Sequence, residues 1–285
     1  MLRYVRRNAM ARDCDNTSCT RESCEGCPSK AGGPVDFSAP MNAESRIAHV
    51  IGVMSGKGGV GKSSVTALLA VALRRQGYKV GILDADITGP SIPHLFGIND
   101  IPGAVGDDML PAVTETGIKI ISVNLLLEDT SSPVIWRGPV LGSVIKQFWS
   151  NVIWGELDYL LVDMPPGTGD VPLTLFQSLP LDGVILVSSP QSLVNMVVGK
   201  AYGMAAMMGI PVLAVIENFS YIVCPDCGKK LYVFGEGKTE EWAKLHGVPF
   251  ALKLPMDPAV SAYGDEGKIE VYPGREIEAV ISCLR

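Results

Sequence analysis

Residues 56–63 read Gly56-Lys57-Gly58-Gly59-Val60-Gly61-Lys62-Ser63. They follow an apolar run, residues 49–54, and precede residues 63–76, which have helical periodicity. A glycine-rich loop between a strand and a helix is the context that identifies a phosphate-binding loop. Its N–H groups surround phosphate oxygens, while Lys62 reaches the β and γ phosphates and Ser63 holds Mg²⁺. The sequence therefore predicts a protein that binds ATP or GTP, with Gly56 to Ser64 at the nucleotide.

Apolar runs of strand length alternate with helical stretches along the rest of the chain. The predicted strands are residues 79–83, 118–123, 159–162, 183–187 and 212–216. The predicted helices are residues 63–76, 139–154, 172–179, 192–208, 239–245 and 275–284. The strands do not alternate in polarity, as expected when both faces of a sheet are covered. This order predicts an α/β fold with a three-layer, doubly wound, mostly parallel sheet that binds ligands at the carboxyl ends of its strands.

Lys57 is a second lysine, one residue after the first glycine of the loop. The arrangement resembles the deviant Walker A loop of the superfamily that includes MinD, ParA, the nitrogenase iron protein and the Mrp-type iron-sulfur carriers. The resemblance implies a homodimer in which Lys57 reaches the partner's nucleotide and stabilises the transferred phosphoryl group. A surface lysine in a glycine-rich loop is the alternative.

Carboxylates follow two of the predicted strands directly. Asp84 and Asp86 follow residues 79–83, and Asp163 follows residues 159–162. Asp163 is expected to support Mg²⁺ through its water shell, and Gly167 to offer its N–H to the γ phosphate. The superfamily resemblance implies that Asp86 positions the attacking water and that Asp84 lies nearer the metal. An aspartate at a strand end is, by itself, more often a turn or cap residue.

Cys224 and Cys227 form a C-x-x-C pair whose intervening turn residues let both thiolates face one metal. In the reducing compartment expected for a chain without a secretory signal, such a pair favours a metal or redox role over a disulfide. In the implied homodimer, two pairs supply four thiolates, enough for one bridging 4Fe-4S cluster or one tetrahedral Zn²⁺. Two incidental thiols in a turn are the alternative.

Four further segments narrow the resemblance. They are Asp163-Met164-Pro165-Pro166-Gly167-Thr168-Gly169-Asp170, Ile216-Glu217-Asn218-Phe219-Ser220, Trp136-Arg137-Gly138-Pro139 and Leu254-Pro255-Met256-Asp257-Pro258. From about residue 46 to the C-terminus the chain resembles the Mrp-type iron-sulfur cluster carrier ATPases. The resemblance implies that Asn218 bonds adenine and that Pro255 and Asp257 line the base pocket. Phe219 departs from the methionine usual in that family.

Residues 1–45 are rich in Cys, Ser, Gly and Pro, which predicts a flexible arm before an ATPase domain at residues 46–285. The arm contains Cys14, Cys19, Cys24 and Cys27. These four thiols are enough to bind a whole cluster or Zn²⁺, and solvent-facing thiols are the alternative. The arginines of the first dozen residues are interpreted as a solvated tail, or as preceding a translation start at Met10. Cys283 is interpreted as a packing residue.

The formal net charge of −6 over 285 residues, with no basic stripe, argues against a nucleic-acid partner. No apolar stretch has the roughly 18 residues that a membrane span needs. We expect a cytoplasmic carrier that binds ATP and Mg²⁺, builds a 4Fe-4S cluster and passes it to apo iron-sulfur proteins, with slow hydrolysis as a switch. The alternatives are a zinc-bridged or MinD-like targeting ATPase and a redox protein like the nitrogenase iron protein.

Overall fold

The computed structural model describes residues 39–86, 89, 91–99, 101–126, 138–190 and 194–284. Most of the predicted arm lies outside the described residues. So do Cys14, Cys19, Cys24, Cys27, Trp136 and Arg137.

Strands and helices alternate along the described chain. The strands are β1 (Arg46–Ser55), β2 (Val80–Asp84), β3 (Ala104–Val105), β4 (Asp108–Met109), β5 (Ala112–Val113), β6 (Lys119–Ser122), β7 (Glu156–Asp163), β8 (Gly183–Ser188), β9 (Val212–Val223), β10 (Lys230–Leu231) and β11 (Phe250–Pro255). The α-helices are α1 (Lys62–Arg75), α2 (Ile92–Leu95), α3 (Gly138–Ser150), α4 (Asp170–Ser178), α5 (Val194–Met207), α6 (Thr239–Leu245) and α7 (Pro258–Asp265). In the described part of the chain, 3₁₀ helices span Val123–Leu126, Ile269–Val271 and Glu276–Cys283.

One mostly parallel sheet organises the described residues. Its strand order is β10-β9-β8-β1-β7-β2-β6-β5, and β11 adds to β9. The outer strands β5 and β10 pair antiparallel to their neighbours, whereas the strands between them are parallel. Because parallel strands share one direction, β1, β2 and β7 end at the same edge of the sheet, where ligands bind in this class of fold.

Two apolar cores cover the two faces of the sheet. Val50 and Met54 of β1 pack in the core that includes α3, α4 and α5, while Ile51 and Val53 pack in the core that includes α1 and the C-terminal 3₁₀ helix. Successive side chains of a strand point to opposite faces, so β1 is buried on both sides. The predicted three-layer α/β architecture is confirmed.

The structure departs from the predicted elements mainly in the last third of the chain. The strand predicted at 212–216 continues to Val223, through the polar residues Glu217, Asn218 and Ser220. The sequence did not predict β11 and α7, and the helix predicted at 275–284 is a 3₁₀ helix. The second half of β9 was not predicted because its polar residues do not look like a buried strand in the sequence. They are buried by contacts with other segments of the chain. Within the described residues, no helix is long and apolar enough to cross a membrane.

Candidate functional site

The phosphate loop joins β1 to α1 at the carboxyl edge of the sheet. Gly59 and Gly61 both have a φ of 75°, in the left-handed region that favours glycine. A Cβ on Gly61 would also lie 2.3 Å from Nδ2 of Asn218, so that position has no room for a side chain. α1 begins at Lys62, directly after this turn, which places its N-terminal N–H groups at the loop. The predicted phosphate-binding loop therefore has the backbone form that anion binding requires.

Lys62 lies in a buried cluster of charges beneath the loop. Its Nζ is 2.8 Å from Oδ2 of Asp163 and 3.4 Å from Oδ2 of Asp86. The hydroxyls of Ser63 and Thr66 donate to the two oxygens of Asp163 at 2.6 and 2.8 Å. Hydroxyl and carboxylate oxygens are the ligands that Mg²⁺ prefers, so Ser63 and Asp163 fit the metal role that the sequence predicts for them.

Asp84 and Asp163 are paired neighbours on the parallel strands β2 and β7. Burial raises the pKa of Asp84 well above its usual range, and the nearby charge of Asp163 raises it further. The hydroxyl of Ser122 donates to Oδ2 of Asp84 at 3.0 Å, and the N–H of Asp86 donates to Oδ1 at 3.2 Å. Asp84 thus lies beside the proposed metal ligand, while Asp86 reaches the lysine of the loop.

Lys57 and Gly167 lie at the outer side of the same loop. Lys57 is half-buried, and its carbonyl accepts from the Ser55 hydroxyl at 2.9 Å. Among the described residues, no carboxylate forms an ion pair with Lys57. Gly167 has a φ of 91° and donates its N–H to the Ser55 carbonyl at 2.8 Å. Donation from Gly167 to a γ phosphate therefore requires this bond to open, which makes Gly167 a candidate sensor of the nucleotide.

A cleft beside α1 brings together residues that are distant in sequence. Its walls include Ser64, Asn218, Pro255, Asp257 and Tyr272. The amide of Asn218 donates through Nδ2 to the Val60 carbonyl at 3.0 Å, which attaches the cleft to the phosphate loop. The cleft therefore unites the three residues that the resemblance assigned to the base pocket.

Tyr272 is a cleft residue that no sequence motif identified. Its hydroxyl donates to Oδ2 of Asp257 at 2.8 Å, while Oδ1 of the same carboxylate accepts from the Ala259 N–H at 2.9 Å and caps α7. Burial raises the pKa of Tyr272, and the bond to Asp257 raises it further. Asp257 is thus held in place from two sides. Because the partners lie in different elements, no short-range pattern could reveal the pair.

Phe219 sits between the cleft and the phosphate loop in an unusual backbone conformation. Its φ is 59°, which for an aromatic residue costs on the order of 1–3 kcal/mol. A Cβ on Gly61 would lie 3.0 Å from the Phe219 ring. The strained residue therefore packs directly on a glycine of the phosphate loop. Backbone strain of this kind is common where a structure holds a functional residue in position.

Cys224 and Cys227 lie in a hairpin turn that continues β9 without a break. The N–H of Cys224 donates to the Lys229 carbonyl at 3.0 Å, and the N–H of Gly228 donates to the Cys224 carbonyl at 2.9 Å. Cys227 is exposed and Cys224 is partly exposed. Hydrogen bonds from the backbone of Cys227 and Asp226, and from the Cys227 side chain, lower the pKa of the Cys224 thiol. This favours the thiolate, which is the form that binds metals.

The hairpin supplies only a partial set of metal ligands. In the described part of the chain, no group of three or more His, Cys, Asp or Glu side chains is placed to hold a metal ion. Two thiolates fill half of the four positions that zinc and iron-sulfur sites use. A metal bound at this hairpin would therefore need further ligands from outside it.

The ParA family model described as NUBPL iron-transfer P-loop NTPase matches residues 46–283. The chain belongs to this family. The matched region begins at Arg46, the first residue of β1. The resemblance inferred from the motifs is confirmed.

Several relatives of this NUBPL-type NTPase are similar along nearly all of their length. The iron-sulfur cluster carrier protein of Clostridium perfringens is 46% identical over 266 residues, 90% of this chain and 93% of that protein. The iron-sulfur cluster carrier protein of Methanocaldococcus jannaschii is 47% identical over 253 residues, 86% of this chain and 87% of that protein. The protein is therefore an NTPase of the iron-sulfur cluster carrier family.

Solved structures agree with this assignment. A nucleotide-binding protein from Archaeoglobus fulgidus in complex with ADP has a TM-score of 0.74 and 46% identity, covering 81% of this chain and 90% of that one. The cell division ATPase MinD of Pyrococcus furiosus has a TM-score of 0.61 at 21% identity, covering 84% of this chain and 100% of that one. The likeness to MinD concerns the fold alone, and it confirms the P-loop NTPase architecture.

Proposed function

We propose that two copies of this protein assemble a 4Fe-4S cluster between their Cys224 and Cys227 pairs and transfer it to apo iron-sulfur proteins under the control of bound ATP. One observation carries the proposal. A single strand, β9, contains Asn218 of the nucleotide cleft and ends one residue before Cys224. Nucleotide and cargo sites on one strand suit a carrier better than an ATPase whose metal only stabilises the fold.

The nucleotide end uses residues of one chain and one residue of its partner. Lys62 holds the β and γ phosphates, and Ser63 with Asp163 holds Mg²⁺, which offsets the negative charge of the phosphates. Asp86 lies close to Lys62 and orients the attacking water. Lys57, which has no carboxylate partner among the described residues, reaches the nucleotide of the second copy. Hydrolysis is slow and serves as a switch between two states.

The set of cluster ligands is complete only when two copies of the chain meet. Each hairpin brings two thiolates, and the pair of hairpins brings four. Val223 and Leu231 are exposed apolar side chains next to the thiols. They provide apolar surface that a second copy can bury. A tetrahedral Zn²⁺ fits the same four thiolates and is the competing cargo. Cys14, Cys19, Cys24 and Cys27 of the N-terminal arm, which precedes the ATPase domain at residues 46–285, are the second candidate for metal binding.

Anaerobic reconstitution with iron and sulfide tests the proposal. We expect the full-length chain to form a dimer with a labile cluster and to transfer that cluster to an apo-ferredoxin acceptor. The double variant C224S/C227S loses the bridging cluster and the dimer, while the matched variant Cys283→Ser keeps both. Iron, sulfide and zinc contents, read beside size-exclusion chromatography, measure this.

Two results of that experiment would contradict the proposal. A cluster that is unchanged in the double variant moves the cargo site to the N-terminal arm. Zinc that is retained in place of iron under reconstitution favours the zinc-bridged targeting ATPase.

A further inference from the structure

β9 is irregular at the point where it passes the phosphate loop. Along β11, Lys253 pairs with Glu217 and Pro255 pairs with Tyr221, so β9 advances four residues while β11 advances two. The extra residues form a β-bulge around Asn218, Phe219 and Ser220, and Phe219 has a φ of 59°. Bulges redirect side chains and are common next to active sites. This one directs Asn218 to the Val60 carbonyl and the Phe219 ring to Gly61.

A buried carboxylate stands at the base of the bulge. Glu217 is fully buried, and its Oε1 accepts from the Ser220 hydroxyl at 2.6 Å. Its Oε2 accepts from the hydroxyl of Thr239, the first residue of α6. A Cβ on Gly237 would lie 2.0 Å from Oε2, so the chain around the carboxylate leaves no space for another group. The nucleotide chemistry proposed above does not use Glu217, although burying a carboxylate is costly.

The bond between Glu217 and Ser220 spans the bulge. The two residues are three apart in sequence and stand on either side of Asn218 and Phe219. An open bulge is soft and absorbs a displacement of the residues inside it. Here Ser220, the last residue of the bulge, donates a charge-assisted hydrogen bond to Glu217, the residue before the bulge. This bond holds the bulge residues together, so that they move as a unit. Beyond Ser220 the strand continues as Tyr221 to Val223 and reaches Cys224.

We propose that Glu217 is a positioning residue that transmits the state of the phosphate loop to the thiol hairpin. Through Ser220 it closes the bulge, so that a displacement of Asn218 or Phe219 on nucleotide binding is passed along β9 to Cys224 and Cys227. Thr239 donates to the other oxygen of the same carboxylate, Oε2, and takes no part in closing the bulge. This inference rests on the proposed nucleotide site, and it adds the route by which that site governs the thiols.

Thiol reactivity with and without MgADP tests the route in the full-length chain. A short pulse of iodoacetamide followed by site-resolved mass spectrometry gives the alkylation rates of Cys224 and Cys227, with Cys283 as an internal reference. In the wild type we expect MgADP to change these two rates at least about fivefold, the lower end of typical coupling between sites. Ser220→Ala opens the bulge and brings the ratio close to one, while the dissociation constant for MgADP changes less than threefold. The matched control Thr239→Val removes the other hydroxyl from Glu217 and keeps the wild-type ratio.

Several outcomes overturn the inference. They are a wild-type ratio of one, an unchanged ratio in Ser220→Ala, and an equal loss in Ser220→Ala and Thr239→Val. If Ser220→Ala does not fold, Glu217→Met keeps a similar volume and removes both acceptor oxygens, and an unchanged ratio in that variant is equally decisive. Iron analysis separates this result from the proposed cargo. A chain that binds no cluster but keeps the MgADP effect contradicts the carrier function and leaves the route intact.

Discussion

The phosphate-loop region and the thiol hairpin are built in opposite ways. At the loop, Lys62, Asp84 and Asp163 are buried and each has a charged or hydrogen-bonding partner within the chain. At the hairpin, Cys227 is exposed, and the flanking Val223 and Leu231 are 48% and 45% exposed. A buried charge is tolerated only when it is paired, so the buried charges of the first region have to find their partners within one chain. The second region has no such requirement, and this suits a site that a second copy completes and that releases its cargo.

The largest expected effect separates the two lysines of the loop. Lys62→Ala removes a direct contact with phosphates and should weaken ATP binding by more than about 100-fold. Lys57→Ala should leave ATP binding within about threefold and lower the hydrolysis rate about 100- to 1,000-fold, because it acts on charge that develops in the transition state. Calorimetric titration and phosphate release measure the two quantities.

The control for this pair is Lys229→Ala, which removes an exposed lysine at the hairpin. It should leave both binding and hydrolysis unchanged. Lys62→Ala also strips Asp163 of its buried partner, so thermal unfolding has to show that the variant is folded at the assay temperature. Equal loss of binding in both lysine variants would contradict the assignment of Lys57 to the partner's nucleotide.

The loop region could be predicted from sequence because its chemistry is contiguous. Eight consecutive residues form the loop, and Asp84 and Asp163 each follow an apolar strand, so parallel pairing brings them together. The hairpin thiols are likewise two residues of one short motif. By contrast, Tyr272 acts on Asp257 from fifteen residues away, and Thr239 acts on Glu217 from twenty-two. Such contacts depend on packing between elements, and no local periodicity encodes them. For the same reason the second half of β9 was not predicted.

An intermediate effect should appear in the pH dependence of stability. The folded protein raises the pKa of Asp84 above its unfolded value, near 3.9, because burial and Asp163 disfavour the charged form. Its contribution to stability is therefore full at low pH and is lost as the pH rises through the folded pKa. The Asp84→Asn side chain is neutral at every pH. At a pH above the folded pKa of Asp84, the substitution should raise the melting temperature by a few degrees. This gain should disappear as the pH falls toward 4.

Asp226→Asn is the matched substitution at the hairpin. Asp226 is exposed, so we expect no comparable gain in melting temperature at any pH. Thermal unfolding of the metal-free chain, followed from pH 4 to pH 8, measures both variants. A gain for Asp84→Asn that is independent of pH would show that relief of packing, rather than of buried charge, is responsible.

The smallest expected effect is at the hairpin itself. In the metal-free chain, Cys227→Ser replaces one exposed side chain by another and should change the free energy of unfolding by no more than about 0.5 kcal/mol. In the reconstituted protein, the same substitution removes a proposed cargo ligand, and we expect it to remove the stabilisation that binding adds to the folded state. Thermal unfolding with and without reconstituted iron and sulfide measures the difference. A large loss of stability in the metal-free chain would mean that the hairpin, like the buried charges of the phosphate loop, is stabilised by contacts within one chain.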